Sequence, residues 1–197
     1  MKRNAKTEVE PMYLFKSISD DIHSAQLVFK QNSKTKRLVL AALFASIAAV
    51  LQAAGGSLPV MGYFISPFAT APILFCSILS LPLGAMSYFL TNLLLLILQP
   101  SELIIFPFTT GLLGLGTGIA FYFLKKRLSI IAFGATFLTI GIINLLYVFK
   151  FPVLGPTVSG SFSILTTGSI FLFSCFYNWI WVVIGLTFLK RFKKFIN

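Results

Sequence analysis

Ionisable side chains are scarce in this chain, and acidic ones are the scarcest. Of its 197 residues 11% are charged, five being Asp or Glu and one His. His23 and four of the five acids precede residue 38, so Glu102 is the only carboxylate in the remainder. Acid–base, nucleophilic and metal-dependent chemistry need several such groups gathered around one substrate. No carboxylate pair, Ser/His or Cys/His set, or histidine cluster can be assembled from what remains, so neither an enzyme nor a bound metal or cofactor is expected. A Gly-x4-Gly-Lys-Ser/Thr loop is also missing, which excludes ATP hydrolysis by that route. The two cysteines, Cys76 and Cys175, lie 99 positions apart within apolar runs. That spacing suits neither a metal knuckle nor a redox pair, and both read as small packing residues.

What the chain does have is apolar length. Apolar residues make up 57% of it, and the mean hydropathy is +0.90. Charge this sparse cannot cover the surface of a soluble domain of the same size. The fold class expected is therefore an all-α integral membrane protein in contact with lipid. The net charge of +11 is gathered into clusters beside apolar runs. Clusters of that kind set membrane orientation, and no nucleic-acid partner is expected.

Residues 1–37 form a polar tail in which Leu14, Ile18, Ile22, Ala25 and Phe29 recur at helical spacing. The pattern predicts either an amphipathic helix lying on the inner leaflet or a fluctuating tail. From Leu38 to Ala54 no charge occurs, and at about 1.5 Å per residue this run approaches the thickness of a bilayer core. Gly55-Gly56-Ser57-Leu58-Pro59 then predicts an end to the helix and a first loop running to Tyr63. The uncharged stretch Leu58–Leu98 is about two spans long and is expected to divide at Leu81-Pro82-Leu83-Gly84. Six spans follow from the whole pattern, at about 38–54, 65–81, 83–98, 103–124, 128–149 and 162–189. With both termini cytoplasmic, fifteen of the sixteen basic residues fall on one side and only Lys150 on the other. The reverse orientation would violate the positive-inside tendency almost completely.

Two sets of residues invite a functional reading. Ala41, Ala45 and Ala49 recur every four residues on the first span, so one side of that helix is nearly flat. Such a stripe lets two backbones approach closely. It serves either a helix of the same bundle or a different protein that docks there. The second set is uncharged, polar or aromatic, and falls in the outer half under the topology above. It comprises Met61, Tyr63 and Phe64 of the first outer loop, Asn92, Gln99, Thr109, Thr110, Asn144 and Tyr147. Tyr177, Asn178, Trp179 and Trp181 of the last span join it near mid-depth. Together they describe a pocket for a small organic ligand; the alternative is hydrogen bonding between helices and an interfacial aromatic belt. Glu102 and Lys150, the only charges expected outside, either pair at the pocket mouth, hold a charged ligand group, or snorkel to the interface. Gly111, Gly114 and Gly118 lie inside an apolar run rather than after a strand, and are expected to serve close packing.

These features carry a resemblance. Six short spans with both ends inside, the Ala-x3-Ala-x3-Ala stripe, a breaker-rich first outer loop and the segment Pro107-Phe108-Thr109-Thr110-Gly111-Leu112-Leu113-Gly114 resemble the substrate-binding S component of energy-coupling factor vitamin transporters. The likeness covers about residues 36–195. It implies a bacterial or archaeal cytoplasmic membrane protein that captures a vitamin or related small molecule from outside, beneath the first outer loop. It further implies docking through Ala41, Ala45 and Ala49 onto a transmembrane coupling protein served by two ATPase subunits. The amino terminus lacks the histidine of the nickel and cobalt members, so the resemblance does not imply a metal substrate. The alternative from the residues is a non-catalytic assembly or lipid-handling subunit that uses the alanine stripe and has no outer pocket.

Overall fold

A computed structural model describes residues 19–151 and 164–196. Within them every regular element is helical: α1 (Ser19–Gln31), α2 (Lys34–Ser57), α3 (Met61–Ile65), α4 (Thr70–Leu79), α5 (Leu81–Leu98), α6 (Glu102–Ile105), α7 (Thr110–Phe123), α8 (Arg127–Ile143) and α9 (Ile164–Ile196). Six stretches are long and apolar enough to cross a membrane: Lys34–Ser57, Met61–Leu79, Leu81–Leu98, Glu102–Phe123, Arg127–Val148 and Ile164–Phe192. The second and fourth stretches are composite. Each is broken by a short 3-10 turn that contains a proline, Pro67 in Ser66–Ala69 and Pro107 in Phe106–Phe108. A proline inside a helix withdraws one N–H and forces the preceding turn aside. Tyrosines bond to both prolines' carbonyls, Tyr177 to that of Pro67 at 3.4 Å and Tyr88 to that of Pro107 at 3.1 Å.

The boundaries follow from local chemistry. Ser33 caps α2, its Oγ accepting from the Lys36 N–H at 3.3 Å. Contrary to the sequence expectation, α2 continues through Gly55, Gly56 and Ser57. It stops where Pro59 cannot donate, and Val60 turns the chain with a φ of 62°. The second and third spans are separated by Ser80 alone, in extended conformation. Pro82 falls within the first turn of α5, where its missing N–H costs nothing. Gly84 and Gly118 both abut Ser77 of α4, where any side chain would collide. Gly114 likewise abuts the Thr70 carbonyl, so these glycines serve close packing.

In the bundle α4 packs on α7, α2 on α5, and α8 on both α7 and α9. The core runs through Leu74, Ile78, Leu113, Phe121, Ile130, Leu138 and Val182. The tail's helix does not simply lie on a leaflet. α1 packs on α9 and α4, burying Ile22, Ala25 and Phe29, and the Gln26 side-chain amide donates to the Ile78 carbonyl at 3.0 Å. Leu14 and Ile18 of the same pattern lie outside the described residues. α1 also lines a small hollow with Phe123, Leu124 and Lys125, so it sits at the end of the bundle that carries the basic cluster 125–127.

Candidate functional site

At the opposite end, the carboxyl-terminal turn of α2 and the two broken spans leave space between them. The cavity measures about 680 Å³ and is lined by fourteen residues. Gly55 to Pro59 and Gln52 come from the first span and its exit. Tyr63 and Ser66 come from the second, Ser101, Glu102, Ile105, Thr109 and Thr110 from the fourth, and Phe151 from the exit of the fifth. Its walls are mostly apolar, with a few polar groups grouped on one side, as in sites for small organic molecules.

The polar groups form a directed chain. The Thr110 hydroxyl donates to Gln52 Oε1 at 2.7 Å, and Gln52 Nε2 donates to Glu102 Oε2 at 2.7 Å. Gln52 is 2% exposed and Glu102 6%. The end of the first span is thereby tied to both parts of the broken fourth span. Glu102 Oε1 accepts no hydrogen bond among the described residues, and a Cβ placed on Gly55 would stand 2.9 Å from it. Glycine at 55 thus leaves the carboxylate room. Thr109 spends its hydroxyl proton on the Ile105 carbonyl at 2.8 Å and keeps its lone pairs.

Of the residues singled out from sequence, Tyr63, Glu102, Thr109 and Thr110 line this cavity and the others do not. Met61 and Phe64 point away and are 64% and 70% exposed. The amide of Asn92 donates to the Tyr88 carbonyl, that of Asn144 to the Ile140 carbonyl, and that of Gln99 to Ser101 Oγ. The first two bonds reach back one turn within the same helix, so neither amide is directed at a ligand. Tyr147 packs against the core. Lys150 makes no ion pair with Glu102. It is exposed with a φ of 52° and closes the fifth span, the Phe151 N–H returning to the Leu145 carbonyl at 2.8 Å. Trp179 lies on the outside of α9, and Trp181 is buried against Tyr177 and Phe68.

Asn178 is a structural clamp. It is fully buried, its Oδ1 accepts from Thr117 at 2.7 Å, and its Nδ2 reaches the carbonyls of Ile131 at 2.9 Å and Ile130 at 3.3 Å. One amide therefore ties α9 to α7 and α8.

The alanine stripe is also corrected. Ala41, Ala45 and Ala49 have no exposed surface, and the Ala45 carbonyl accepts from Thr91 of α5 at 3.2 Å. The outward face of α2 is made instead by Val39, Leu43, Ile47 and Val50. Small residues let α2 and α5 close on each other, so this stripe offers no free docking surface.

Comparison of the chain with protein-family profiles, curated proteins and solved structures gives no match. The site is therefore read from its own chemistry. Gln52 is not singled out from sequence, and for Glu102 three roles stay open there: pairing with Lys150 at the pocket mouth, holding a charged ligand group, or snorkelling to the interface. The available signal was that each is isolated, an amide near the end of one apolar run and a carboxylate at the start of another.

Proposed function

We propose that this protein is a membrane-embedded binding subunit that takes a small organic molecule, such as a vitamin or its precursor, from outside the cell and passes it to an ATP-driven coupling module. The observation that carries the reading is the cavity between Gln52, Glu102 and Thr110, at the end opposite the basic cluster 125–127. Its volume of about 680 Å³ matches the range of small-molecule sites, roughly 300–1,000 Å³. No group of three or more metal-ligating side chains occurs among the described residues. Binding without chemical conversion, with energy supplied by a partner, suits that inventory. The likeness to energy-coupling factor S components points the same way. Any coupling protein meets a surface other than the buried alanine stripe. That burial withdraws the alanine stripe as support from the assembly-subunit reading and from the S-component likeness alike, so the cavity is what favours the binding reading.

The purified protein is expected to bind one molecule from a panel of vitamins and precursors with unit stoichiometry and without ATP, as read by calorimetry. Thr110→Val removes the hydroxyl that orients Gln52 and should weaken that binding roughly tenfold, the equivalent of about 1.4 kcal/mol. Asn144→Ala should leave it unchanged, since that amide is spent within its own helix. No binding anywhere in the panel by a folded protein would overturn the reading.

Orientation is tested separately. With Cys76 and Cys175 replaced, single cysteines at Ser57 and Ser101, both exposed at the cavity end, should react with an impermeant maleimide in intact cells. A cysteine at Ser33, exposed before α2, should react only after lysis. The opposite pattern would place the cavity on the cytoplasmic side and exclude uptake from outside.

A further inference from the structure

We infer that the cavity selects a small organic cation, whose positive group is held by the Glu102 carboxylate. The inference rests on reading this cavity as the ligand site. Glu102 is the only ionisable acid or base among the residues that line it, apart from the Tyr63 phenol, and it is nine-tenths buried. A buried carboxylate needs a counter-charge or several donors. Here one oxygen has a single donor, the neutral Gln52 amide, and the other has none among the described residues. Lys150, one residue from the lining Phe151, is turned outward by its left-handed backbone and does not supply the charge.

The hydrogen-bond polarity of the site points the same way. The Thr110 proton is spent on Gln52, one Gln52 N–H on Glu102, and the Thr109 proton on its own helix. Along this chain the positions left open are acceptors, Glu102 Oε1 and the lone pairs of the two threonines, while the hydroxyls of Ser57, Ser66, Ser101 and Tyr63 on the same lining can also donate. The carboxyl-terminal turn of α2, Gly55 to Ser57, brings the negative end of a 24-residue helix to the cavity and Thr109 and Thr110 bring the positive end of α7, so the two dipoles offset and the carboxylate sets the sign. An anion would meet charge of its own sign at Glu102. A neutral molecule would offer Glu102 at most a hydrogen bond, whereas a cation offers the counter-charge as well. Tyr63 and Phe151 supply ring surface for an organic body attached to the cationic group.

The test uses matched aromatic probes of nearly equal shape: tryptamine, tryptophol and indole-3-acetate, and phenethylamine with phenethyl alcohol. Each is titrated calorimetrically into the purified full chain and into Glu102→Gln. Wild type is expected to bind the amines at least tenfold more tightly than their hydroxyl partners and to reject the acetate. Glu102→Gln, which keeps the shape and a bond to Gln52, should lose at least tenfold for the amines and treat amine and alcohol alike. Alcohols or the acetate binding wild type as well as the amines would overturn the charge assignment and leave the cavity as the ligand site. Retained amine preference in Glu102→Gln would overturn it equally. Binding of none of the probes, charged or neutral, would count against the cavity itself. If Glu102→Gln does not fold, the wild-type ranking of amine, alcohol and acetate decides alone.

Discussion

Ala45→Trp should abolish the folded protein. Ala45 has no exposed surface, and its carbonyl is 3.2 Å from the Thr91 hydroxyl of α5. An indole there has nowhere to go unless α2 and α5 separate, and with them the neighbouring contacts of α2 with α4 and the Ser66–Ala69 turn. Adding a few methylenes to a tight core typically costs about 1–3 kcal/mol, and an indole adds far more volume than that. The expected result is loss of the monodisperse peak on size exclusion in detergent, together with loss of ligand binding. Val39→Trp, on the same helix but facing outward at 63% exposure, should leave both intact. A folded, ligand-binding Ala45→Trp protein would mean that the stripe is free after all, and would restore it as a docking surface.

Asn178→Leu is expected to have the second largest effect. Leucine is close to asparagine in shape, so packing is nearly preserved while three hydrogen bonds disappear. Bonds between membrane helices contribute about 0.6 kcal/mol each on average, and an orphaned buried hydroxyl, here that of Thr117, adds roughly 1–3 kcal/mol. A loss of about 3–5 kcal/mol in stability is expected from these together, read as a lowered midpoint of thermal unfolding in detergent. Gly134 sits against the same amide, where any side chain would collide with it, so Gly134→Val should act in the same direction. Asn178 does not line the cavity. The fraction that stays folded should therefore bind small molecules as wild type does. A selective loss of affinity at unchanged stability would return Asn178 to the ligand site.

The parts of this protein that were legible in its sequence are those set by local composition. The six apolar stretches, a break close to the Leu81–Gly84 segment, and the packing role of Gly114 and Gly118 each depend on residues close together in the chain. The extent of the first helix was misjudged because two glycines were read as a stop, whereas Pro59 is what ends the hydrogen-bond ladder. Asn92 and Asn144 were drawn into a pocket because an amide in an apolar run suggests a polar partner. Their partners are the carbonyls one turn earlier, which any helix provides.

The sequence by itself determined that the chain has six stretches long and apolar enough to cross a membrane, and which of their ends carry positive charge. It could not determine which way each helix faces. In water the hydrophobic effect separates an apolar core face from a polar outer face, but in lipid both faces are apolar and the periodicity carries no such label. Ala41, Ala45 and Ala49 announced a close approach without naming the helix approached; packing assigned it to α5. The contact between Gln52 and Glu102 joins residues 50 positions apart, and that between Gln52 and Thr110 joins residues 58 apart. Neither pairing follows from spacing. Both exist because the end of α2 meets the proline-broken fourth span, which only the tertiary structure decides.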